Sequence, residues 1–295
     1  MAALGDSGPH PIMKKICVLV AVVFGLSAGT VHAGLQTDVP YGTAGGESLK
    51  LDVCVSDGPG PFPAVILVHG GAWVRGDKSP GPANDSMAPM FDALTRGGFA
   101  WFAINYRLAP AHRYPDDLND VTTAMRWVKK HAAQYHVDPQ RIAISGHSAG
   151  GHLAALAAVR ATKSDRVAAV VCFSTPFDIV GKPKLGDPMH PALAPLFGIT
   201  NITTQAVALE TEASPIKQVK PGLPPFLIVQ GTADTRVNFS QATNMLNRLR
   251  AVHVPCDVIA IPGGDHGMQG WDALMPDYRE RVVKWLQATL NKDGR

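Results

Sequence analysis

The chain has 295 residues and 31.3 kDa, with 46% hydrophobic and 17% charged residues. That apolar content supports a large buried core and argues against an intrinsically disordered chain. A net charge of +3 with no long Lys/Arg run argues against nucleic-acid binding, and four Cys with no Cys-x-x-Cys pair supply no zinc site or dense disulfide framework.

The first element in chain order is a targeting signal. Met13-Lys14-Lys15 precede an apolar stretch from Ile16 to Ala28, followed by Val31-His32-Ala33. A short positive start, an apolar middle and small residues at −3 and −1 predict a signal peptide over 13–33, cut after Ala33. The 13 apolar residues are too few for a membrane anchor, which needs about 20. Residues 1–12 lie upstream of the natural-looking start at Met13. The expected product is a secreted or periplasmic single domain over 34–295 with no stable membrane span. Of its Cys54, Cys172 and Cys256, at most one pair can form an internal disulfide; Cys172, inside the apolar run Val167–Phe173, reads as a buried, inert thiol.

Strands and helices then alternate. Thr37–Tyr41 and Leu49–Val55 predict an antiparallel edge, followed by strands at Ala64–Val68, Phe99–Asn105, Arg141–Ser145, Ala168–Phe173, Phe226–Val229 and Asp257–Ile261. The inner five are near-continuous in Val, Ile, Ala and Phe, the pattern of strands covered on both faces. Helices are predicted over Asp116–Tyr135, Gly151–Ala161, Ser240–Val252 and Asp277–Leu290. The alternation gives an α/β fold with a mostly parallel central sheet and helices on both faces. Residues 181–225 hold eight Pro and no long apolar period, and read as a surface excursion or a short cap or lid over the site.

The chemistry lies at strand ends. Gly146-His147-Ser148-Ala149-Gly150-Gly151 sits between a strand and an Ala/Leu-rich helix, the setting of a nucleophile elbow. Ser148 is the candidate nucleophile, and the Ala149 N–H, at the positive end of the helix, is a candidate oxyanion donor. His69-Gly70-Gly71-Ala72-Trp73 follows Ala64–Val68; Gly70 and Gly71 are the other oxyanion candidates, and His69 is expected to shape the loop rather than act as a base. Asp234, on the turn after Phe226–Val229, is the leading acid, with Asp178 and Asp265 as alternatives. His266, flanked by Gly after the last strand, completes the chain order Ser148, Asp234, His266. Trp73, Tyr106 and Phe177 are candidate substrate contacts. No cofactor or metal is required.

These motifs, together with Asn105-Tyr106-Arg107-Leu108-Ala109-Pro110 and Ala213-Ser214-Pro215, resemble an α/β-hydrolase of the hormone-sensitive-lipase-like esterase group. More narrowly, the chain is similar to bacterial acetyl-xylan and feruloyl esterases from about residue 40 to its end. The resemblance implies a carboxylesterase acting on a small-molecule or polysaccharide-linked acetyl or feruloyl ester. Arylformamidase-like amide hydrolysis, a small serine peptidase and a non-catalytic binding module are the competing readings.

Overall fold

The computed structural model describes residues 2, 34–79, 87–181 and 184–291. The predicted signal peptide lies outside them, and the fold below belongs to the unit Val31–Arg295. Eight strands form one sheet: β1 (Gly34–Ala44), β2 (Glu47–Val55), β3 (Phe62–Val68), β4 (Ala100–Ile104), β5 (Val137–His147), β6 (Ala169–Phe173), β7 (Phe226–Gly231) and β8 (Cys256–Ile261). Their order is β1-β2-β4-β3-β5-β6-β7-β8. β1 pairs antiparallel with β2, and β2 with β4; from β4 onward every pairing is parallel.

The inner strands are apolar throughout because the pleat sends alternate residues into two separate cores. Ala64, Ile66 and Val68 of β3 join one apolar cluster, while Val65 and Leu67 join the other. The first cluster is closed by α2 (Asp116–Lys130), α3 (Ala149–Arg160) and α6 (Ser240–Arg250). The second is closed by α1 (Ala88–Arg96) and by α7 (Trp271–Leu274) and α8 (Tyr278–Leu290). Cys172 is buried in the first cluster, and Cys54, Cys172 and Cys256 are all free thiols. No helix among the described residues is long and apolar enough to cross a membrane.

Besides α7, three helices depart from the sequence pattern. In α1, which the sequence did not predict, Pro89 occupies the first turn, where its missing N–H costs no hydrogen bond. The Pro-rich segment holds α4 (Leu193–Phe197) and α5 (Thr204–Ala213). α4 is too short to show a 3.6-residue period, and α5 is marked only by Thr203, whose Oγ1 accepts the Ala206 N–H at 3.1 Å. Met189, Leu193, Leu196 and Phe197 anchor this segment to the first core cluster.

Beyond β4 the chain is fastened by Arg107. Its Nε and Nη2 donate to Asp120 Oδ2 and Oδ1 at 2.8 and 2.9 Å, and its backbone N–H donates to Oδ2 at 2.9 Å. The two side chains are 8% and 2% exposed. Such a two-pronged, desolvated pair is costly to break, even though Asp116 Oδ2, 3.4 Å from Arg107 Nη1, keeps part of the charge balanced. Asp120→Ala is therefore expected to lower unfolding free energy by about 3–5 kcal/mol, measured by urea denaturation.

Candidate active site

Sheet register puts the functional loops on one edge. Val68 pairs with Gly146, so the loops after β3 and β5 leave the sheet side by side; Gly231 pairs with Ile261, so those after β7 and β8 do the same. All four emerge at the carboxyl ends of parallel strands, where open α/β sheets bind ligands.

Ser148 has φ 53° and ψ −119°, a left-handed-side conformation forced on a non-glycine residue by the strand-to-helix reversal. The reversal is tight enough that a Cβ on Gly146 would come within 2.4 Å of the Gly150 carbonyl. Ser148 donates its own N–H to the Phe173 carbonyl at 2.9 Å, which fixes the elbow on β6. Ala149 opens α3, so its N–H has no acceptor within the helix.

His266 bridges the two halves of the site. Its Nε2 lies 3.0 Å from Ser148 Oγ, and its Nδ1 lies 2.9 Å from Asp234 Oδ2. Asp234 is buried, and its Oδ1 accepts the Arg236 and Val237 N–H groups at 2.9 and 2.8 Å. Gln230 Nε2 donates to both Asp234 Oδ2 and the Val237 carbonyl at 2.9 Å. Burial pushes the Asp234 carboxyl up, but the hydrogen bonds from His266, Val237 and Arg236 outweigh it, so its pKa lies below the usual value. An ionised carboxylate can only accept, which puts the imidazole proton on Nδ1. His266 Nε2 is then free to accept the Ser148 hydroxyl proton.

Neither alternative acid bonds His266. Asp178 pairs with Lys217 Nζ at 3.1 Å and accepts the Val180 N–H. Asp265 is exposed and makes no side-chain bond to His266.

The loop after β3 lies against the elbow. A Cβ on Gly70 would fall 2.9 Å from His147 Nδ1 and 3.5 Å from Ser148 Cβ, so only glycine lets this backbone approach. Gly71, Ala72 and Trp73 continue with φ of 120°, 53° and 63°. The N–H groups of Gly70, Gly71 and Ala72 make no backbone hydrogen bond among the described residues, as oxyanion donors require. His69 shapes the loop: its Nδ1 donates to the Gly70 carbonyl at 2.8 Å, and its ring stacks on Tyr106 at 4.4 Å.

Trp73, Ser148 and His266 line a cavity of about 1320 Å³ whose far wall is built from the Pro-rich segment and the loop after β6. Tyr106 and Phe177 do not line it, which corrects the sequence expectation. Tyr106 turns inward to donate its hydroxyl to the His69 carbonyl at 3.1 Å, and Phe177 is fully buried in the core. His147 is a functional residue that spacing could not reveal, because it occupies a variable position of the elbow motif. Its Nε2 donates to the His266 carbonyl at 2.8 Å and ties the two loops together. Gln230 was equally silent in the sequence.

Residues 51–249 match the BD-FAE family. The chain belongs to this family. The probable carboxylic ester hydrolase LipM of Mycobacterium tuberculosis is 35% identical over 233 residues, covering 73% of this chain and 52% of LipM, so the chain spans about half that relative's length. A carbohydrate esterase from gut microbiota superposes with a TM-score of 0.73 at 26% identity, covering 88% of this chain and 97% of that one. Thermogutta terrifontis esterase 2, solved in a form phosphonylated by sarin, gives 0.70 at 26% identity, covering 88% and 95%. With these neighbours, the BD-FAE chain has the α/β-hydrolase fold.

Three buried histidines of this BD-FAE chain stay neutral. Burial lowers the pKa values of His69, His147 and His152 to about 4, although each ring bonds a backbone carbonyl. His152, packed edge-on against Trp73, donates Nε2 to the Ala213 carbonyl at 2.7 Å. An unfolded histidine titrates near 6.5, so the unfolded chain takes up this proton first, and stability falls as pH drops from about 6.5 towards 4. His152→Gln should make the stability–pH slope shallower by one proton across that window, about 1.4 kcal/mol per pH unit. Urea titrations at several pH values measure it.

Proposed function

We propose that this BD-FAE chain is a serine carboxylesterase in which Ser148 is the nucleophile, His266 the general base and acid, and Asp234 the residue that orients and charges the imidazole. The hydrogen-bonded series Ser148–His266–Asp234 at the cavity wall is the observation that carries the reading. The names of the esterase relatives support it.

Ser148 Oγ attacks the ester carbonyl as its proton passes to His266 Nε2, and Asp234 stabilises the imidazolium. The oxyanion is received by the Gly71 and Ala149 N–H groups with Gly70 beside them, donors already oriented before the charge develops. The tetrahedral intermediate collapses, the imidazolium protonates the leaving alcohol and an acyl-Ser148 remains. His266 then takes a proton from water, the hydroxide attacks the acyl carbon, and collapse returns the proton to Ser148 Oγ and releases the acid.

The substrate class in this proposal is a short acyl (acetyl) or hydroxycinnamoyl (feruloyl) ester, free or carried on a plant polysaccharide. Support comes from the motif resemblance and from the carbohydrate esterase among the structural neighbours. The large, half-polar cavity suits a substrate with polar groups around its ester. The signal-like segment 13–33 supports export, which an amino-terminal residue of Gly34 on the exported protein would establish.

Hydrolysis of p-nitrophenyl acetate should fall by about 10⁴–10⁶ in kcat for Ser148→Ala, and by about 10⁴ for Asp234→Asn. A fluorophosphonate should label the wild-type chain and not Ser148→Ala. Near-normal turnover by Ser148→Ala would overturn the mechanism. Rates on p-nitrophenyl esters of increasing acyl length, acetylated xylan and methyl ferulate then order the substrates.

A further inference from the structure

The cavity has a polar corner that the Ser148 chemistry does not use. Glu210, on α5, lines the cavity, yet the residue is only 2% exposed and its Oε2 has no hydrogen-bond partner. A desolvated carboxyl oxygen without a donor is unfavourable, and native folds rarely keep one where water or a ligand does not supply the donor. Among the described residues, the surrounding chain supplies none. Lys217 is taken by the neighbouring Asp178 at 3.1 Å, and the Ser214 hydroxyl donates to the Glu210 backbone carbonyl at 2.7 Å. Among the described residues, Glu210 forms no ion pair. Burial, and then the charge of Asp178, raise the pKa of its carboxyl.

The corner is held in shape before any ligand arrives. Ser214 Oγ accepts the Ile179 N–H at 3.0 Å, which joins the end of α5 to the loop after β6. Gln241 pins the same loop from the other side: its Oε1 accepts the Phe177 and Asp178 N–H groups at 3.0 and 2.8 Å, and its Nε2 donates to the Asp178 carbonyl at 2.9 Å. Asp178, Gln241 and Asn238 also line the cavity. The loop after β6 and the end of α5 are thus fastened together, with the Glu210 carboxyl beside them unpaired among the described residues.

We propose that Glu210 is a specificity-determining residue whose carboxyl group turns into the cavity to accept a hydrogen bond from a hydroxyl of the ester substrate. The proposal rests on the esterase reading above. Two parts of an ester can bring that hydroxyl: the phenol of a hydroxycinnamoyl group on the acyl side, or a sugar on the alcohol side. A substrate without it leaves the oxygen unpaired, and sites built this way discriminate strongly against the missing hydroxyl.

Two substrate pairs separate the sources. Methyl p-coumarate and methyl cinnamate differ only in the phenol; monoacetylated xylobiose and ethyl acetate differ in the hydroxyl-bearing alcohol. Values of kcat/KM are measured for the wild type, Glu210→Met and Glu210→Leu, two substitutions that remove the acceptor with different shapes, so one suffices if the other does not fold. The expected result is a loss at least tenfold larger on the hydroxylated member of one pair than on its partner, carried mainly by KM. The pair that shows it identifies the side of the ester that Glu210 reads. Equal losses within both pairs, or no loss, overturn the assignment while leaving the esterase reading intact. Absence of any p-nitrophenyl acetate turnover by the wild type overturns that reading and this one with it.

Discussion

The site depends on closing a gap across the sheet. Ser148 leaves β5 and His266 follows β8, three strand positions away. At about 4.8 Å per strand that is roughly 14 Å, yet the two side chains meet at 3.0 Å. The loop after β8 must therefore lean back over the ends of β7 and β6, and its hydrogen bonds show how it is held. Ala233 donates to the Gly264 carbonyl at 2.9 Å, the Gly263 N–H reaches Thr232 Oγ1 at 2.9 Å, and His147 donates to the His266 carbonyl at 2.8 Å. The first two fasten the loop to the turn that carries Asp234. The third spans the gap, from the residue beside Ser148 to the residue whose Nε2 faces the Ser148 hydroxyl.

That arrangement explains why histidine recurs around the site in roles other than general base. A neutral imidazole has one donor and one acceptor, is flat enough to pack on aromatic rings and can sit in an apolar setting without a counter-ion. His69 donates to the carbonyl that begins the loop after β3, His147 to the carbonyl of His266, and His152 to the last carbonyl of α5. Each ties an irregular segment to the sheet edge or to α3. Lysine or arginine could donate the same bond only by carrying a charge into the core. His266 differs by its partner: its Nδ1 meets a carboxylate, whereas the others meet backbone carbonyls.

Legibility in the sequence followed how much of each choice was local. The inner strands were readable because burial on both faces makes every residue apolar, as Ala64 to Val68 illustrate. Ser148 and His266 were readable because strand ends and flanking glycines mark the turns on which they sit. The choice among Asp234, Asp178 and Asp265 was not local. It turns on Lys217 holding Asp178 and on Gln230, four residues before Asp234, bracing the carboxylate that faces His266. Tyr106 and Phe177 were misplaced for a related reason: an aromatic at a strand end carries no sign of whether its ring turns towards the cavity or the core. Tyr106 turned inward because His69 offered both a carbonyl and a ring to stack on.

The far wall of the cavity is the least legible part of the chain and the part with most freedom to set specificity. Ser148, Asp234 and His266 follow parallel strands whose register leaves them little latitude. The wall is held by short helices, the side chains of Ser214 and Gln241, and a few apolar anchors such as Leu193 and Phe197. A segment built this way can change its cavity-facing residues without disturbing the sheet, because its fastening bonds point back to the loop after β6 rather than into the cavity. The Ser148–His266–Asp234 series and the far wall of the cavity are thereby placed on different structural supports. Glu210 lies where the two meet: its backbone carbonyl belongs to the fastening, and the residue lines the cavity.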